Sequence, residues 1–109
     1  MEVTLTNMSV LHIINKSPFD RNSLDTCLRL AKNGSTILLI EDGIYAAQKN
    51  TAVADKVSAA VGKHVVYALE ADLDARGVDK NAMIDGISLV DYEGFVKLAT
   101  EHKGAQSWL

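Results

Sequence analysis

The sequence predicts an α/β domain of three layers. A mainly parallel sheet of four to five strands should carry helices on both faces. Three observations lead there. Apolar runs of strand length alternate with amphipathic stretches of helix length along the whole chain. One run, "STILLIE" at 35–41, is almost continuously apolar, as expected of a central strand covered on both sides. The composition, 48% apolar with only 6% aromatic, suits a compact aliphatic core.

The elements follow in order. "SVLHII", 9–14, reads as the first strand. Pro18 lacks a backbone N–H and biases Ser17 away from helix, so "NKSPF" is a loop. Asp20, Asn22 and Ser23 are all good helix caps, and Asn33-Gly34 supplies a stop. Between them lies an amphipathic stretch with Leu24, Cys27, Leu28 and Ala31 on one side. After "STILLIE", Asp42-Gly43 forms a turn. "IYAAQ" and "TAVADKVSAAVG" read as helical, with Val53, Val57, Ala60 and Val61 inward. "HVVYAL", 64–69, is a strand, and "EADLDARG" a short helical turn stopped by Gly77. "ISLVDY", 87–92, is another strand. "EGFVKLATEHK" is a final helix with Phe95, Leu98 and Ala99 inward. A tail then ends in Trp108-Leu109. Right-handed crossovers between parallel strands place helices on both faces of such a sheet.

At 109 residues the chain is one domain's worth and can bury a core without staples. We expect a single domain over 8–109. Residues 1–7 read as an extension, with Met8 a second plausible start. Net charge is −3 and no long basic run occurs, which disfavours direct binding to nucleic acid. The lone cysteine cannot form an internal disulfide, and no signal peptide or membrane-length apolar run is visible. A cytoplasmic location is the expectation.

Candidate chemistry is sparse. No G-x-G-x-x-G or G-x-x-x-x-G-K-[ST] cradle for phosphate occurs. His12, His64 and His102 have no Cys or His neighbour at zinc-ligand spacing, so no metal site is expected. His102 near a helix end has an ordinary explanation in the helix dipole. Glu70, Asp72 and Asp74 read as a solvated face. Glu41-Asp42-Gly43 closes the best strand, at the edge where open parallel sheets bind ligands, but Asp-Gly is also a common turn. Trp108 is either docked on its own domain or held by a neighbour, and a large apolar group there favours an interface.

Cys27 has two readings. Working thiols need a thiolate, favoured by a helix start or nearby cations. Cys27 falls in the second helical turn, and its neighbours at three and four positions are Ser23, Leu24, Leu30 and Ala31, none basic. It is a working catalytic thiol or a small apolar core residue.

Four strings together carry a resemblance: "LHIINKSP", "LLIEDGIYAA", "VYALEADLDARG", and "LVDYEGFVKLATEH" followed by a near-terminal Trp. In this order and spacing, from about residue 8 onward, the chain resembles the DsrH/TusB family of sulfur-relay subunits. The resemblance implies a single α/β domain working in the cytoplasm. It implies assembly with homologous DsrE/TusD-type and DsrF/TusC-type subunits into a hexamer with two copies of each. Small sulfur carriers of the TusA and DsrC/TusE types would exchange sulfur with it as cysteine persulfide. No metal, nucleotide or pyridoxal cofactor is implied. The DsrH branch serves sulfur oxidation, and the TusB branch serves 2-thiouridine formation in tRNA. A cysteine matching Cys27 is a DsrH-type feature, which places the expectation on that side. The main sulfur acceptor of the family lies on the DsrE/TusD-type subunit, so Cys27 would be a secondary acceptor or a structural residue.

Overall fold

The structure is a computed structural model and describes residues 10–108. The proposed extension 1–7 and the start at Met8 lie outside the described residues. Five strands form one sheet: β1 Leu11–Ile14, β2 Thr36–Leu39, β3 Val65–Leu69, β4 Ser88–Val90 and β5 Ala105–Trp108. Their order across the sheet is β4-β3-β2-β1-β5, and every pairing is parallel. The α-helices are α1 Ser23–Leu30, α2 Ala54–Val61, α3 Glu70–Ala75 and α4 Tyr92–Glu101. Two 3-10 helices, Glu41–Ala47 and Lys80–Ala82, complete the order.

The topology divides the layers unequally. From β1 to β4 the chain steps one strand at a time in one direction, so its three crossovers share a face. The packing agrees. Leu24 and Cys27 of α1, Ile44 and Ala47 of the long 3-10 helix, Val57 of α2 and Leu73 of α3 pack in one cluster. That cluster also holds Ile14, Ile37, Leu39, Val66 and Ala68 of the sheet. The step from β4 to β5 reverses direction and crosses the other face. There Leu98 and Phe95 of α4 cover Leu11, Ile13, Leu38, Tyr67 and Val90. Among the described residues one helix covers that face, and Val65 remains half exposed.

Local chemistry explains the element ends. Asp91 caps α4, its Oδ1 accepting from the Gly94 amide at 2.8 Å. Helix α1 ends at Leu30, three residues before the expected Asn33. Ala31 is extended, and the Lys32 carbonyl accepts from both the amide and the hydroxyl of Ser35. Gly34 then makes the turn at φ +87°.

The segment after β2 is a 3-10 helix that takes in both the expected turn at Asp42-Gly43 and most of the helical stretch read after it. The Gly43 amide bonds back to the Ile40 carbonyl at 2.8 Å. Gly43 lies so near β1 that an added Cβ would stand 2.1 Å from the Ile14 carbonyl oxygen. A glycine is required there by proximity. Ala99, expected inward, is exposed, since the inward side of α4 is narrow and Leu98 fills it.

A fifth strand was allowed for, but its place in the tail was not expected. "AQSW" has no apolar alternation, because β5 is an edge strand whose first three residues face solvent. Its ladder with β1 and the docking of Trp108 on the core hold it. Trp108 is therefore docked on its own domain.

Candidate functional site

Helix α1 carries Cys27 on its inner side. The helix buries Ser23, Leu24 and Cys27 while Asp25, Arg29 and Leu30 face out, as its apolar spacing dictates. Cys27 has 0% of its surface exposed and lies in the larger cluster. Burial pushes its thiol up from 9.0 to about 11. Among the described residues no cation offsets this. Arg29 points away, and Lys56 is engaged by Asp25 in an ion pair across the α1–α2 seam. Within this chain Cys27 is a protonated, covered thiol, unready for nucleophilic attack.

The carboxyl edge of the sheet holds the acidic residues. At this edge β3 leads to α3 on one face and β4 to α4 on the other, the arrangement that opens a crevice in parallel sheets. Here Glu41 has φ 49°, an uncommon backbone for a residue with a side chain. Two bonds hold it: its amide donates to Asp72 Oδ2 at 2.7 Å, and its carboxylate accepts from Asn15 Nδ2 at 3.3 Å. Arg76 Nε donates to Asp42 Oδ1 at 2.9 Å and its Nη1 stands 3.9 Å from Asp72. Bonding to Asp42 raises the Arg76 pKa further. Glu70 accepts from Lys80 at 2.5 Å, and Asp74 lies 3.9 Å from the same ammonium. The structure thus joins two residue groups that sequence reasoning kept apart, Glu41-Asp42 and Asp72. Each carboxylate has a basic or amide partner. The network ties the loops after β1, β2 and β3 together and leaves no free acid–base pair among these residues. The positions of Asn15 and Arg76 gave no signal in the sequence, since both contacts are distant along the chain.

The histidines do not converge into a ligand set. His12 Nδ1 accepts from the Trp108 indole at 3.1 Å. His64 is buried, its Nδ1 has no partner among the described residues, and burial followed by Lys63 pushes its pKa down. His102 Nδ1 lies 2.7 Å from the Leu98 carbonyl at the end of α4. Among the described residues, no group of three or more His, Cys, Asp or Glu side chains could hold a metal ion. No helix among them is long and apolar enough to cross a membrane.

A family model described as "DsrH like protein" matches residues 16–105. This chain belongs to that family. Protein TusB of Escherichia coli K12 is 35% identical over 99 residues, covering 91% of this chain and all of the relative. Protein TusB of Pectobacterium parmentieri is 31% identical over the same length and coverage. Two solved structures share the fold. The ychN protein of E. coli superposes with TM-score 0.78 at 16% identity, over 92% of this chain and 99% of that one. A protein of unknown function from Methanobacterium thermoautotrophicum, MTH1491, superposes with TM-score 0.65 at 18% identity, over 91% and 96%. The family resemblance and the α/β sheet with helices on both faces, expected from the sequence, both hold.

Proposed function

We propose that this DsrH-like chain is the positioning subunit of a cytoplasmic sulfur-relay assembly, with partners carrying the persulfide chemistry. Family membership supports the relay. The observation that carries the positioning role is the sealed Cys27, with its pKa raised to about 11 and no cation against it among the described residues. The relatives' name, TusB, favours service in tRNA 2-thiouridine formation. Cys27 itself, as a DsrH-type feature, favours the sulfur-oxidation reading. The partners proposed are homologous DsrE/TusD-type and DsrF/TusC-type subunits, two of each with two of this chain. Carriers of the TusA and DsrC/TusE types complete the relay.

Surface chemistry fits an assembled subunit. Tyr92, Val96 and Ala99 lie at helical spacing along the outer side of α4, and Tyr92 and Val96 are 60% and 62% exposed. An apolar stripe at the thinly covered face suits a subunit contact.

The test is reconstitution with the homologous subunits. Cys27→Ala should leave sulfur transfer by the complex intact. After loading with a persulfide donor, the Cys27 peptide should gain no sulfur mass while the partner's does. Transfer abolished by Cys27→Ala in a complex of normal size would refute the positioning role. It would favour the second reading, in which Cys27 is itself a persulfide station exposed by a partner.

A further inference from the structure

The last strand is fastened by two side chains far apart in sequence. β5 is an edge strand, and Ala105, Gln106 and Ser107 are exposed, so burial does little to hold it. Beyond the backbone ladder with β1, its anchor is Trp108. The indole packs on the core and its Nε1–H donates to His12 Nδ1 at 3.1 Å, with ring centroids 5.9 Å apart. With Nδ1 accepting, the neutral imidazole carries its proton on Nε2. A second proton must enter at Nδ1, the atom the indole needs. Protonation and the indole bond are therefore mutually exclusive.

We propose that His12 and Trp108 form a proton-operated latch that tightens β5 on the sheet edge at neutral pH and loosens it on acidification. The surroundings fit this role. His12 borders a groove of about 250 Å³ between β1, β5 and the end of α1, which gives the ring a path to solvent. Among the described residues the basic groups around the ring are Lys32, which lines the same groove, and His64 and His102. Burial acts first, and the two histidines next, to keep His12 neutral below its ordinary range. Among the described residues no carboxylate pulls the other way. Loosening raises about tenfold the chance that the outer edge of Leu11–Ile14 opens to another extended segment.

Trp108 is the sole tryptophan of the chain, so it reports on the latch alone. The experiment follows its indole N–H protection by hydrogen-exchange NMR in the full-length protein, from about pH 8 down to about pH 5. Protection relative to free indole should fall about tenfold, the effect of losing one hydrogen bond at the upper end of its usual range. The fall should share its midpoint with the titration of the His12 ring. His12→Asn, which keeps an acceptor but does not titrate, should abolish the pH dependence. His64→Gln and His102→Gln should keep it, with the midpoint moved upward. Constant protection across the range, or a midpoint distinct from that of His12, overturns the latch. So does an unchanged pH dependence in His12→Asn.

Discussion

A thiol reagent gives the most direct check on Cys27. The attacking species is the thiolate, so rate follows both its fraction and its access. The thiol is raised from 9.0 to about 11. At pH 8 a shift of that size lowers the thiolate fraction about 100-fold relative to an unperturbed cysteine. The side chain is also fully covered, so reagent reaches it only when α1 moves away from the sheet. The two factors multiply. Alkylation of the native chain by iodoacetamide should run more than about 100-fold slower than that of the urea-unfolded chain, read by mass spectrometry over time. Mild denaturant should accelerate it steeply. A native rate within about tenfold of the unfolded one would refute both the burial and the shift. The same assay on the reconstituted complex separates the two functional readings, because a persulfide station must become reactive there.

Other outcomes follow from particular contacts. Gly43→Ala drives a methyl into the Ile14 carbonyl and should cost about 3 kcal/mol in urea unfolding, whereas Gly104→Ala, with open space around it, should be near neutral. Arg76→Ala removes the basic partner of Asp42 and Asp72 at a surface site, so its cost should be about 1 kcal/mol or less and shrink at high salt. Because the folded thiol of Cys27 is raised, its contribution to stability is complete below pH 9.0 and is lost as pH rises through about 11. Alkaline melting curves of the native chain should therefore fall faster than those of Cys27→Ala. Tyr92→Asp with Val96→Asp should leave the isolated domain folded and reduce the sedimentation coefficient of the reconstituted complex.

Much of this architecture was readable from local pattern. "TILL" and "VVYAL" announce strands because both faces are covered, and Val53, Val57 and Ala60 announce an inward helix side. What escaped reading depends on distant partners. β5 has no strand pattern of its own and exists because β1 offers an edge. The Glu41 backbone needs Asp72, 31 positions away, and the 3-10 form of its helix follows from Gly43 lying against Ile14. At the site, the inward position of Cys27 was legible from Leu24, Leu28 and Ala31. Its complete enclosure was not, because that comes from the sheet and the 3-10 helix packed over it.

The strand order also bears on how the molecule matures. Among the described residues β1 is the first strand along the chain, yet its outer neighbour arrives late, with 96 positions separating His12 from Trp108. Closing so long a loop is entropically slow, and contacts of that span set the pace of folding. Until it closes, a half-built intermediate displays a bare row of Leu11–Ile14 backbone groups to every other newly made copy. Dilution, or a chaperone that shields that row, should raise the yield of refolding more than any stabilisation of the helices.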